Sequence, residues 1–453
     1  MRPSSVFNDI IVSIAERSRS LVDLARMRST PDGVDGLIEL CRQLVATTGE
    51  VSIIALAQEV HARFASLGPA DHQEFFRALL DEFGVEQTAL REVVETYLAD
   101  PDEEHAVAVH EKAEPRRQEL LRRLNLSPGG TRALVTMRTA LLAAMAVDGE
   151  LALVDRDFVH LFASWFNRGF LELQHMDWNT PAAILDKIIV YEAVHEISDW
   201  DDLRRRIDPP DRRLYAFFHP RLADDPLIFV EVALTVETPG DIGAILSADR
   251  EPADPKNAST AVFYSISNCQ KGLRGISFGN FLIKQVVEDL RRELPGLKTF
   301  VTLSPLPRFA GWLQSLAEKD SPLLTPSARD ALPLLDDPHW WQDPDAADRL
   351  AAALMPLASW HLQRARNAGD MPIDPVARFH LGNGARLERL NWLADTSENG
   401  LKTSHGIMVN YLYKLEDIEK NHEAFANAGV ITASGAVKRL ARTLPVTEEI
   451  AAA

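Results

Sequence analysis

The feature that most constrains this chain is a change in hydrophobic period near Trp178. Before it, Phe158, Leu161, Phe162, Trp165 and Phe166 recur at i, i+3, i+4, i+7 and i+8, a stripe that only a helix turns toward one core. Thr131 to Met145 is dense in strong helix formers and ends before Asp148-Gly149. Breaks at Thr30-Pro31-Asp32-Gly33, Gly68-Pro69 and Ser127-Pro128-Gly129-Gly130 have the spacing of helix connections. After Trp178, a linking helix over Pro181 to His195 leads into aromatic and β-branched runs. Arg213 to His219 and Pro226 to Thr235 read as strands separated by the turn chemistry of Asp224-Asp225-Pro226. Ala261 to Ser267 and Thr299 to Leu303 are two more. Between them Phe278, Phe281, Leu282, Val286, Leu290 and Leu294 share one helical face, giving a strand, loop, helix, strand crossover. The expectation is an α+β protein: an all-α bundle over residues 1–178, then a mixed domain over 179–453 with a loop-rich helical insertion near 322–370.

Charge narrows the partners. With 66 acidic against 48 basic residues among 453, the net charge of −18 argues against a nucleic-acid coat, which needs a basic field to displace counterions. A small polyanion held by a local cluster of Lys and Arg stays compatible with it. Two cysteines, Cys41 and Cys269, can make neither a disulfide framework nor a four-thiolate zinc site. No apolar run reaches the ~18 residues a membrane helix needs, and Asp9, Glu16 and Asp23 spoil a signal-peptide reading of the first 27 residues. A cytoplasmic protein with no nucleic-acid or membrane partner is expected.

Three places carry chemistry. Ser265 to Gly279 (SISNCQKGLRGISFG) ends a strand, supplies Gly272, Gly275 and Gly279 with Lys271 and Arg274 among them, and opens a helix. That pattern suits a phosphate or pyrophosphate cradle and equally a flexible glycine turn. Gly275-Ile276-Ser277-Phe278-Gly279 spells G-x-S-x-G, but a nucleophile elbow needs its serine directly after a strand. Ser304 stands where the fourth strand exits the sheet, facing either the ligand crevice of such sheets or a plain proline turn. His380, followed by a Gly-Asn-Gly turn, reads as a catalytic imidazole or a buried structural one. His405 and His422 lack partners at metal-ligand spacing, so no metal is expected.

Taken together, these segments resemble the malonyl-CoA decarboxylase family. The resemblance rests on EAVHEISDWDDLRRR (Glu192–Arg206), FFHPRLADDPLIFVEVALT (Phe217–Thr235), FYSIS (Phe263–Ser267) and GLRGISFGNFLIKQVV (Gly272–Val287). LSPLPRF (Leu303–Phe309), FHLGNGARLERLNWLAD (Phe379–Asp395) and GIMVNYLY (Gly406–Tyr413) follow in order. It is firm from about Trp165 to Tyr413 and rests on pattern and position alone in the N-terminal helices.

The resemblance implies a helical oligomerisation domain followed by a catalytic domain of the GCN5-related N-acetyltransferase type. It maps the loop holding the CoA pyrophosphate onto Arg274, Gly275, Ile276, Ser277, Phe278, Gly279 and Asn280. It implies Ser304 as proton acceptor, His380 as proton donor, and Ser265 and Tyr413 as substrate-binding residues. Some members carry a glutamate where this chain has Ser277, so that carboxylate's role does not transfer. The implied reaction takes malonyl-CoA to acetyl-CoA and CO2 with no cofactor, CoA being part of the substrate. The implied assembly is a homo-oligomer of dimers pairing into tetramers. The C-terminal Glu449-Ile450-Ala451-Ala452-Ala453 lacks the peroxisomal tripeptide of animal relatives, in keeping with a cytoplasmic enzyme. The competing readings are an acyl-CoA-dependent N-acyltransferase on the same fold, a thioesterase acting through Ser277, and an acyl-CoA sensor without turnover.

Overall fold

The structure, a computed structural model, describes residues 31–276 and 282–445. It divides into two compact units. The first contains the chain up to Glu172, together with His219–Asp225 and the described part of segment 270–278. Its helices are Gly33–Ala46 (α1), Glu50–Ala65 (α2), Pro69–Glu82 (α3), Gln87–Ala99 (α4), Glu103–Ala113 (α5), Arg116–Leu124 (α6), Gly130–Ala144 (α7) and Ala152–Trp165 (α8). Their starts follow local chemistry. Pro69 opens α3, the Glu86 carboxylate accepts from Thr88 and Ala89 N–H at α4, and Asp102 accepts from His105 N–H at α5. The stripe on α8 is buried at Phe158, Leu161 and Phe162 and continues to Phe166 beyond the helix end. Phe64, Phe75 and Phe76 pack edge to face at centroid distances of 5.2 to 5.8 Å. Each such ring contributes about 1.5–3 kcal/mol by leaving water. A buried ion pair, Arg117 Nε to Asp157 at 2.7 Å, has its second carboxylate oxygen satisfied by Gln118 at 2.9 Å, as a desolvated charge requires. Helices α4 and α5 bury no residue.

The second unit is built on one mixed sheet. Its strands are Glu172–Met176 (β1), Arg212–Phe218 (β2), Ile228–Thr235 (β3), Thr260–Asn268 (β4), Thr299–Thr302 (β5), Ser304–Pro305 (β6), Arg386–Asn391 (β7) and Met408–Leu412 (β8). The order is β1-β2-β3-β4-β5-β8-β6, with β7 also on β8. Strands β2, β3 and β4 are antiparallel, while β4 and β5 are parallel and joined through the helix Leu282–Glu293. That is the expected crossover, and the helical bundle and the mixed sheet together give the expected α+β class. Strand β3 is buried from Ile228 to Leu234 because both faces are covered. Leu214, Ala216 and Phe218 pack with Leu185, Ile188 and Leu203 on one side. Val262, Tyr264, Val301 and Leu303 pack with Ile242, Ile245 and Met408 in a second cluster.

The detail that makes a site is where β4 and β5 part. Their pairing runs from Thr260↔Thr299 to Phe263↔Thr302 and closes with Leu303 N–H on Phe263 O at 3.0 Å. Strand β4 continues to Asn268, while the other chain turns into β6 and pairs with β8 at Ser304↔Val409. At the same level the β3/β4 register slips: Glu231 faces Ser265 and Val232 faces Phe263, leaving Tyr264 unmatched. A bulge of this kind bends its strand and re-aims side chains.

Candidate active site

A cavity of about 200 Å³ fills the gap between the diverging strands. It is walled by Phe263, Tyr264, Ile266 and Asn268 of β4, Ser304 and Pro305 of β6, Val194, and Pro375, Val376, Phe379 and His380. The last four lie on the helix Pro375–Gly382. That helix starts with Pro375 at its first position, and the Asp374 carboxylate accepts from Val376 and Ala377 N–H, each at 2.9 Å. Burial pushes the Asp374 carboxyl up to about 6. His380 sits on the last turn, its ring stacked on Tyr411 at 4.5 Å.

The sequence candidates Ser304 and His380 meet here: Ser304 Oγ lies 3.0 Å from His380 Nε2. His380 Nδ1 lies 2.8 Å from the Tyr413 hydroxyl. Ser304 Oγ also donates to Thr302 Oγ1 at 2.9 Å. Thr302 Oγ1 in turn accepts the Tyr411 N–H at 3.1 Å and donates to Val409 O at 3.5 Å. The hydrogen-bond network assigns the tautomer. If Thr302 gives its proton to Val409 and Ser304 gives its own to Thr302, then Nε2–H donates to Ser304 and the Tyr413 O–H donates to Nδ1. The reverse polarity would leave the buried Tyr413 proton without an acceptor among the described residues, a cost of about 1–3 kcal/mol. Burial with no charged partner holds His380 down at about 3, so the imidazole is neutral at physiological pH. All four side chains are at most 5% exposed.

The other candidates fall elsewhere. Tyr413 lies behind the imidazole rather than in the cavity wall. Ser265 Oγ turns to Glu192, 2.8 Å from each carboxylate oxygen. Ser267 Oγ donates to the same carboxylate at 3.2 Å, and Glu192 Oε1 accepts Val194 and His195 N–H at 2.7 and 2.8 Å. Ser265 thus holds the loop that brings Val194 to the cavity. Arg274, Gly275 and Ile276 belong to the turn after β4, in the first unit; Ser277, Phe278, Gly279 and Asn280 lie outside the described residues. His405 caps a helix end in the left-handed region, and His422 Nδ1 meets Gly382 O at 2.7 Å. Sequence reasoning gave no role to Thr302 or Glu192. The first was signalled by its place two residues before Ser304 on an extended segment, where alternate side chains share a side. Among the described residues, Asp100, Asp102 and His105 form a three-member group with metal-ligand spacing, but it is largely exposed.

Two family models match in sequence order: the malonyl-CoA decarboxylase N-terminal domain over residues 83–166 and the malonyl-CoA decarboxylase C-terminal domain over residues 169–451. The chain belongs to the malonyl-CoA decarboxylase family. The goose (Anser anser anser) protein named malonyl-CoA decarboxylase, mitochondrial, is 38% identical over 345 residues, 71% of this chain and 68% of that protein. The rat (Rattus norvegicus) protein of the same name is 35% identical over 402 residues, 81% of this chain and 80% of its own. A crystal structure of a malonyl-CoA decarboxylase from Rhodopseudomonas palustris superposes with a TM-score of 0.87 at 56% identity, covering 90% of this chain and all of that one. The structure from Agrobacterium vitis gives 0.85 at 56% identity, with 89% and 99% covered. The match to the C-terminal family domain takes in every residue of the Ser304–His380–Tyr413 chain, and Thr302 and Glu192 with them. No helix among the described residues is long and apolar enough to cross a membrane.

Proposed function

We propose that this member of the malonyl-CoA decarboxylase family converts malonyl-CoA to acetyl-CoA and CO2, using Ser304 and a neutral His380. The observation that carries the reading is the buried Tyr413–His380–Ser304 chain, which opens on a cavity with room for a short acyl group and little more. In the scheme, the bond between the malonyl carboxylate carbon and the α-carbon breaks. Its electron pair enters the α-carbon to carbonyl-carbon bond, and the thioester carbonyl pair moves onto oxygen as an enolate. Largely apolar walls at Phe263, Ile266, Pro375, Val376 and Phe379 leave the departing carboxylate poorly solvated. Ser304, turning its O–H from Thr302 to the substrate, meets the enolate and gives its proton to the α-carbon as the carbonyl re-forms. Nε2–H of His380 restores that proton while Nδ1 takes one from Tyr413, and solvent makes good the single proton consumed. A neutral imidazole avoids the cost of a buried imidazolium, and preorganised donors meet the developing charge.

The nucleotide end of the substrate is assigned to the turn carrying Lys271 and Arg274, both exposed in an otherwise acidic protein. No metal or biotin enters the scheme, so EDTA and avidin should leave turnover unchanged. Assembly as a homo-oligomer through the helical unit belongs to the same reading. Its support is the α4–α5 pair, which buries nothing and exposes Leu98 and Val107; a monomeric mass by light scattering would refute it. We also place the enzyme in the cytoplasm; the goose and rat relatives are named mitochondrial, and cell fractionation separates the two.

His380→Asn and Ser304→Ala test the site. CoA affinity should hold within about twofold while turnover falls on the order of 10² or more, the usual weight of a positioned acid–base group. Parallel loss of binding and turnover would make the pair structural. Product that appears only when an amine is added would favour the acyltransferase reading.

A further inference from the structure

Within its unit, the turn after β4 is held by the side chain of Arg138. Arg138 on α7 is 2% exposed. Its Nη1 donates to the carbonyls of Gly272 at 2.8 Å and Arg274 at 2.9 Å, residues 134 and 136 positions further along. Its Nε and Nη2 meet the two oxygens of Asp155 at 2.7 and 3.2 Å. A rigid fork of N–H donors serves a carboxylate and two carbonyls at once, which an ammonium or an amide cannot. The approach is close: a Cβ on Gly272 would stand 1.9 Å from the Val135 carbonyl oxygen of α7, so only glycine fits.

Pinning the carbonyls has a geometric result. In a planar trans peptide the C=O and N–H point in opposite directions. Drawing the Arg274 carbonyl onto Arg138 therefore turns the Gly275 N–H outward, where no described group accepts it. Gly275 is exposed, at φ +80°, with nothing within 4 Å of where a Cβ would lie. Leu273 and Ile276 are buried beneath, and the Lys271 and Arg274 side chains are exposed on the same short turn. An outward N–H flanked by two cations, fixed before any ligand arrives, suits a phosphate oxygen.

We propose that Arg138, braced by Asp155, is a positioning residue for the nucleotide end of the thioester substrate. It holds the 271–275 turn in the orientation that receives a CoA phosphate. The inference rests on the CoA assignment above and extends it, since it gives a residue of the helical unit a part in substrate affinity rather than in bond breaking.

Arg138→Lys keeps a charge opposite Asp155 and removes the fork. Titration calorimetry with CoA and with pantetheine, which lacks the phosphates, reads the turn without any need for catalysis. The dissociation constant for CoA should rise about tenfold, the scale of one charge-assisted hydrogen bond, and that for pantetheine should hold within about twofold. In steady state KM for malonyl-CoA should rise by a similar factor at near-constant kcat, while kcat/KM for malonyl-pantetheine stays put. Gly272→Ala, which pushes the same turn off α7 from the other side, should reproduce the pattern. Equal losses on both substrates would make Arg138 a general structural support and overturn the proposal, as would unchanged CoA affinity. Wild-type protein that binds CoA yet releases no acetyl-CoA from malonyl-CoA would defeat the decarboxylase reading alone, because the binding comparison would still decide the role of Arg138.

Discussion

Thr302 decides where the Ser304 proton rests before substrate arrives. Its hydroxyl accepts both the Ser304 O–H and the Tyr411 N–H, and this double duty fixes the polarity of the whole chain up to Tyr413. Thr302→Val preserves the shape and removes the acceptor. Steady-state assay should show kcat down about tenfold at unchanged KM, with a stability loss of about 1–3 kcal/mol from the orphaned Tyr411 N–H. An unchanged kcat would mean the Ser304 hydroxyl is oriented by something else. Ser304 and His380 were each visible in the sequence, one by its place at a strand exit and the other by its neighbours. Their meeting was not, because the 76-position separation between them closes through long-range pairing on β8. Family resemblance supplied what local pattern lacked.

Elements differ in how openly they declare themselves. Strands β2 to β5 are rich in aromatic and β-branched residues and were legible within a residue or two. Strand β1 falls inside the stretch read as all-helical and was missed, and the last three were missed for separate reasons. Strand β6 is only Ser304–Pro305. Strand β7 carries a register shift between Leu387 and Arg389 that destroys its alternation. Strand β8 buries the polar Asn410, which is satisfied by Thr302 O at 2.7 Å and by Asn391 at 2.9 Å. The long helix Pro344–Arg364 carries a second histidine whose chemistry can be tested. His361 is buried against Trp312, both ring nitrogens lack partners among the described residues, and burial pushes it down to about 3. Because that value lies below the ordinary 6.5, the unfolded chain takes up a proton first as pH falls. The stability from the neutral form is whole above pH 6.5 and is lost progressively toward pH 3, by about 1.4 kcal/mol per pH unit. His361→Phe should thus raise the melting temperature relative to wild type more at pH 5 than at pH 7.5. An equal shift at both would show that the imidazole is not held neutral.

At the scale of the molecule, the sequence places one boundary near Trp178, where the hydrophobic period changes. The compact units are not two consecutive stretches: His219–Asp225 and the turn beginning at Gln270 group with the helical unit. A linear reading cannot show this, since the Arg138 bonds that hold the turn bridge more than a hundred residues. The Ser304–His380–Tyr413 chain lies wholly in the second unit. The account as a whole stands on what the second unit does to a malonyl thioester. Purified protein incubated with malonyl-CoA in D2O containing EDTA, with products weighed by mass spectrometry, reads this directly. The account predicts one CO2 per turnover and acetyl-CoA carrying a single deuterium in its methyl group, both lost in Ser304→Ala. Free CoA with intact malonate, or deuterated acetyl-CoA formed equally well by that variant, would contradict it.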